Sequence, residues 1–115
     1  MNERIEAILE HMLEDAQDVV MFAEKAGSFD AFIRDKMLRK AIIMSLLNIG
    51  ELANHLPVEY TNVHSEIQWK RMVGMRNFAA HGYHTMNLGT VWKTAQTSIP
   101  ALLNFLQTQL AKKDE

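Results

Sequence analysis

The sequence predicts an all-α protein, an antiparallel four-helix up-and-down bundle with a short extra helical turn between helices 2 and 3. Three observations predict it. Apolar residues recur at helical spacing through most of the 115 residues, only two Pro and five Gly interrupt them, and no segment alternates as a strand would. The length suits one domain over residues 1–115, and 48% hydrophobic with 23% charged residues is a globular balance, too apolar for a disordered tail. There is no internal repeat and no low-complexity segment.

In the first helix Ile5, Leu9, Met12, Ala16, Val19 and Ala23 recur at steps of four and three, a single stripe of about five or six turns. The other face is acidic: Glu3, Glu6, Glu10, Glu14, Asp15 and Asp18. Gly27 ends this helix, and Ser28 or Asp30 can cap the next by accepting a bond from an orphan backbone N–H.

The second helix runs from about Asp30 to Leu56. Its start is charged (Arg34, Asp35, Lys36, Arg39, Lys40), and residues 41–49 are then apolar at seven of nine positions. Side chains at consecutive helical positions point all around the axis, so such a helix needs cover on every side. Three sister helices in so small a domain can hardly supply it. A second copy of the chain is therefore the expected source of the missing contact, and the central helix of a well-covered bundle is the alternative.

Pro57 closes that helix, and residues 57–67 make a polar connection with one short helical turn. The third helix spans about Gln68 to His81, with Trp69, Met72, Val73 and Ala80 as its inner face and Gly82 as C-cap. The fourth begins near Asn87, a side chain able to cap it, and buries Val91, Trp92, Ala95, Ile99, Leu102, Leu103 and Leu106. Pro100 removes one ladder bond and should kink it. Eight Met, among them Met12, Met37, Met44, Met72 and Met75, read as adaptable core filler.

Twelve Lys and Arg against fourteen Asp and Glu give a net charge of −2. That excludes a protein held on nucleic acid by bulk basic charge but leaves room for a local phosphate site. The absence of Cys removes disulfides, thiolate metal sites and cysteine nucleophiles, and fits a reducing compartment. No apolar run reaches the roughly 18–20 residues of a membrane span, and the N-terminus lacks a signal-peptide core. A cytoplasmic protein without a membrane partner is the expectation.

The chemistry concentrates between Arg76 and Tyr83. A guanidinium (Arg76), an amide (Asn77), an imidazole (His81) and a phenol (Tyr83) fall within eight residues, at the end of a mainly apolar helix. Asn77 and His81, spaced i, i+4, share a face, whereas Arg76 and His81 stand about 140° apart on an ideal helix. A long Arg side chain, a loosened last turn or a second subunit would have to bring them together. The guanidinium matches phosphate oxygens and stays charged; the imidazole titrates near neutrality and can move a proton on or off a ribose 2′-hydroxyl. Together they meet the minimal needs of metal-free RNA cleavage. They equally suit a structural ion pair at Arg76, a histidine settled at a helix C-terminus and a packed tyrosine. Glu51, near the end of an apolar helix, is either partly buried and so in need of a partner, for which Arg76 is the candidate, or exposed on the last turn. His81 and His84 lack an acid to complete a metal site, so no metal and no cofactor are expected. His11, His55 and His64 read as surface residues without companions. Lys70, Arg71 and the Arg39-Lys40 pair are the local cations that could attract RNA, or else a solvated surface.

The Arg-x4-His-x-Tyr pattern of Arg76, His81 and Tyr83 resembles the signature of HEPN domains, most closely the HepT-like toxin family. The likeness extends along most of the chain. Phe29, Phe32 and Asp35 resemble the approach to the family's second helix, Ile49-Gly50-Glu51 its "I-G-E" end, and Trp69 with Gly74-Met75-Arg76-Asn77 its lead into the motif. The resemblance implies a HEPN-like homodimer, paired through helix 2 and the motif region with the two motifs near the interface. It implies a metal-independent endoribonuclease, the toxin of a toxin–antitoxin pair. Arg76 and His81 would be catalytic, Asn77 and Glu51 supporting. The implied antitoxin is a minimal nucleotidyltransferase of the MntA type, which adenylylates the motif tyrosine, here Tyr83. A non-catalytic HEPN subunit that docks such a nucleotidyltransferase is the alternative.

Overall fold

A computed structural model describes residues 1–76 and 87–112, and the described residues form an all-helical bundle. Helix α1 (Glu3–Ala26) starts where the Asn2 side chain accepts a bond from the Ile5 N–H at 2.8 Å. It stops at Gly27, whose φ of 80° is left-handed and whose N–H reaches the Ala23 carbonyl. Every member of the predicted stripe on α1 is buried.

The predicted second helix is two. Helix α2 (Phe29–Arg34) is capped by Ser28 and ends at Asp35, which is extended and whose side chain accepts from the Leu38 N–H to start α3 (Lys36–Asn54). One residue thereby closes one helix, its backbone N–H donating to the Ala31 carbonyl, and opens the next with its carboxylate, while the Arg39 guanidinium donates to the Ile33 carbonyl across the break. Phe32 is fully buried, its ring 5.1 Å from that of Trp92.

On α3 the residues Ile42, Ile43, Leu46 and Ile49 are buried, Ala41 and Leu47 half-buried, and Met37 and Met44 stand 70% and 58% exposed. The helix is therefore covered on three sides within one chain, and two of the methionines read as core filler lie on its open side. Met12, Met72 and Met75 are buried as expected.

After Pro57 comes the expected short helix, α4 (Val58–Val63), and then α5 (Trp69–Met75). Asn87 caps α6 (Leu88–Lys93) by accepting from the Thr90 N–H at 3.0 Å. A π-helical turn over Thr94–Ser98 joins α6 to α7 (Ile99–Ala111), with the Ile99 N–H bonded to the Thr94 carbonyl. Pro100, in the first turn of α7, cannot donate to the ladder, and the wider turn before it is the form its disturbance takes. Helix α1 packs on α3 and α7, and α3 on α5. The core runs along these contacts through Leu9, Met12, Ile42, Leu46, Ile99, Leu102 and Leu106. No described helix is long and apolar enough to cross a membrane.

Asp15, on the flank of α1 that faces Asn48 of α3, has its carboxyl raised above the ordinary range. Burial is the main cause and Asp18 the next, partly offset by the hydrogen bond with Asn48. A carboxyl raised on folding favours the native state only while protonated, so its contribution is present at low pH and is lost as pH rises through the folded value. Asp15→Asn should therefore raise the melting temperature at pH 7, and the gain should shrink as the pH is lowered toward about 4, the usual carboxylate value.

Candidate functional site

The site begins with a glycine. A Cβ built on Gly50 of α3 would lie 2.6 Å from the Met72 carbonyl oxygen and 3.1 Å from the Arg76 backbone nitrogen. Only a residue without a side chain lets the two helices approach so closely. The approach leaves the next residue, Glu51, beside the end of α5, where its Oε2 stands 3.6 Å from Nη1 of Arg76. Glu51 also holds His55, one turn along α3, with Oε1 3.3 Å from Nε2. One carboxylate thus spans a guanidinium on α5 and an imidazole on its own helix.

Arg76 is 40% exposed and Glu51 56% exposed. Glu51 combines the two readings: it is exposed on the last turn and still has Arg76 as its partner. A pair this wet contributes about 0–1 kcal/mol to stability. Its consequence is orientation: the guanidinium is steered to one side of α5, and among the described residues it keeps an exposed face that a second anion could meet. Asn77, His81 and Tyr83, together with His84, Ala80 and Gly82, lie outside the described residues. Of the predicted site, the structure places Arg76 and Glu51 together.

Two histidines depart from expectation. His55 has a companion in Glu51, a pairing signalled by the i, i+4 spacing. His64 is half-buried and has companions: Nδ1 is 3.5 Å from Oε1 of Glu66, its ring lies 4.4 Å from that of Tyr60 and 5.3 Å from that of Phe105, and its carbonyl accepts from the Trp69 indole N–H at 2.9 Å. This cluster seats the first turn of α5. Within it the Tyr60 hydroxyl is buried without a partner among the described residues. Burial, then the charge of Glu66, push its pKa up to about 12, so it stays neutral.

Of the predicted RNA-attracting cations, Arg39 is committed to the α2 carbonyl, while Lys70 and Arg71 are exposed on α5. Arg71 lines a cleft of about 380 Å³ between α5 and the π-helical turn, together with Lys93, a cation that sequence reasoning did not single out. Lys93 becomes notable only once the turn packs opposite α5. Among the described residues no three His, Asp or Glu converge as metal ligands.

The two glycines of this region should respond oppositely to an added methyl. Gly50→Ala should lower stability by up to about 2 kcal/mol, the overpacking cost less the helix-propensity gain. Gly74→Ala, where a Cβ meets no described atom within 4 Å, should leave it unchanged or raise it by up to about 1 kcal/mol. Urea or thermal unfolding of the two variants checks both signs.

Comparison with known proteins agrees with this architecture. A family model described as "Ribonuclease HepT-like" matches residues 2–109. A protein of Caldanaerobacter subterraneus subsp. tengcongensis named "Putative RNase TTE0752" is 34% identical over 105 residues, covering 91% of this chain and 93% of its own length. A Methanocaldococcus jannaschii protein named "Putative RNase MJ1380" is 33% identical over 98 residues, 85% of this chain and 89% of its own. A Thermococcus cleftensis protein named "Probable ribonuclease HepT" is 32% identical over 93 residues, 78% of this chain and 84% of its own. No solved structure gives a significant match. The chain belongs to the HepT-like ribonuclease family.

Proposed function

We propose that this protein is a metal-independent endoribonuclease and the toxin of a toxin–antitoxin pair, with Arg76 and His81 as its catalytic pair. The supporting observation is Arg76 itself: an arginine at the end of α5, turned by Glu51, still half open to solvent, in a chain of a ribonuclease family. Asn77 assists, and Glu51 positions the guanidinium.

In this mechanism the His81 imidazole takes the proton of a ribose 2′-hydroxyl, and the freed oxygen attacks the adjacent phosphorus. The bond to the 5′-oxygen breaks, and that oxygen leaves with a proton returned from the imidazolium. The products are a 2′,3′-cyclic phosphate and a 5′-hydroxyl. Arg76 steadies the charge that builds on the phosphoryl oxygens, as a preorganised cation does best. Two copies of the chain pair through the open side of α3, where Met37 and Met44 are exposed, and form a shared cleft around the two motifs.

Control of the toxin falls to Tyr83. An MntA-like nucleotidyltransferase would move AMP from ATP to the Tyr83 hydroxyl, forming a phosphodiester to the phenol oxygen and releasing pyrophosphate. The added charge and bulk beside His81 would repel and obstruct an RNA phosphate.

Cleavage of single-stranded RNA in EDTA tests the activity. The wild type should cut, and His81→Ala should lose roughly 100-fold or more, the usual worth of a general base. Equal cutting by both, or none by a verified dimer, would contradict the assignment. Expression alone should arrest growth, and His81→Ala should relieve it; a non-catalytic docking subunit would cause no arrest in either form. Intact mass after co-expression with the nucleotidyltransferase should show one or more added AMP units on the wild type and none on Tyr83→Phe.

A further inference from the structure

The cleft between α5 and the π-helical turn has the chemistry of a phosphodiester seat. Its floor is apolar, from Leu46, Met75 and Val91, and its charged walls are Arg71 on one side and Lys93 on the other. Among the described residues no carboxylate lines it, in a chain with more acids than bases, and Glu66 lines the adjoining pocket on the far side of Arg71. Neither cation has an ion-pair partner among the described residues, whereas Arg34 is 3.2 Å from Asp30 and Arg76 is paired with Glu51. Two unpaired cations facing one acid-free cleft raise the local potential and favour a multiply oxygenated anion.

The hydroxyls narrow the ligand further. Thr94 and Thr97 donate to the Thr90 and Lys93 carbonyls at 2.8 and 2.7 Å, so their protons are spent within the turn. What they retain is acceptor capacity. A ligand suited to these walls carries anionic oxygens for Arg71 and Lys93 and its own O–H or N–H donors for the threonines, which describes a ribonucleotide unit. The cleft of about 380 Å³ lies within the range of roughly 300–1,000 Å³ typical of small-ligand pockets. It is also bracketed in the chain by Met75 and Thr90, on either side of the proposed catalytic segment.

We infer that the cleft lined by Arg71 and Lys93 seats a phosphate of the single-stranded RNA substrate outside the scissile bond, so that these two side chains position the strand. The inference takes its ligand from the ribonuclease reading, yet is tested by binding rather than by cutting.

The test measures anisotropy of a labelled single-stranded RNA 12-mer in EDTA, in a His81→Ala background that keeps the strand intact. Arg71→Gln with Lys93→Gln is compared with a control that removes the same charge elsewhere, Lys25→Gln with Lys36→Gln. The cleft pair should weaken binding about tenfold at low salt and flatten the slope of log affinity against log salt by about 0.7, the value for one neutralised phosphate of a single strand. The control pair should stay within about threefold of the parent, since it removes charge without removing a contact. Gly74→Leu, which projects bulk into the cleft and should fold normally, should weaken binding without any change of charge. Equal losses in the cleft and control pairs would overturn the inference, as would tight ATP binding without RNA binding. If the wild type cuts RNA while the cleft variants bind and cut like it, the inference fails and the ribonuclease stands. If the cleft variants alone lose RNA that the wild type never cuts, the ribonuclease fails and the cleft stands.

Discussion

Everything in the candidate site follows from the missing side chain at Gly50. With a Cβ 2.6 Å from the Met72 carbonyl, α3 and α5 could not touch as they do, and Glu51 would not reach Arg76. The contact is backbone against backbone, so a flexible side chain cannot relieve the clash. That fixes the end of α5 more firmly than the ion pair does, since the pair is largely solvated. The pair then selects one direction for a long side chain that would otherwise sample many. Packing sets where the guanidinium starts, and electrostatics sets where it points.

The distribution of the cations leaves a protein of net charge −2 with one local site suited to an anion. Arg34 is neutralised by Asp30, Arg39 is spent on the Ile33 carbonyl, and the acidic face of α1 repels phosphate from that side. Among the described residues Arg71 and Lys93 have no ion-pair partner, and they stand across a cleft that begins next to α5. On the proposed reading, an RNA strand drawn to this face would be turned away from α1 and toward the end of α5. Local placement would then replace bulk charge and limit non-specific binding.

Much of the fold was legible because one-sided helices write a regular pattern. The stripe of α1, the cap at Asn87 and the stop at Gly27 each express one local rule. The break at Asp35 was missed because charged residues on both sides hid a capping residue inside what looked like a helical start. The π-helical turn left only an indirect trace in Pro100, since the wider hydrogen bond follows from how α6 and α7 lie on their neighbours. Among the site residues, pairing Glu51 with Arg76 could be reached from chemistry, because a carboxylate at the end of an apolar helix calls for a partner. Choosing between burial and exposure could not, because that depends on the open side of α3. Lys93 carried no signal, standing in an unremarkable segment until the fold set it opposite Arg71. His64 was misread because aromatic stacking with Tyr60 and Phe105 is a tertiary event.

The most direct measurement is the chemistry of the cut ends, made on single-stranded RNA and on the same strand with 2′-deoxyribose, both without metal, by wild type and Arg76→Ala. The account predicts that only the wild type cuts efficiently, that only the ribose strand is cut, and that the fragments end in a 2′,3′-cyclic phosphate and a 5′-hydroxyl. Fragments ending in a 3′-hydroxyl, cutting of the deoxyribose strand, or undiminished cutting by Arg76→Ala would contradict it.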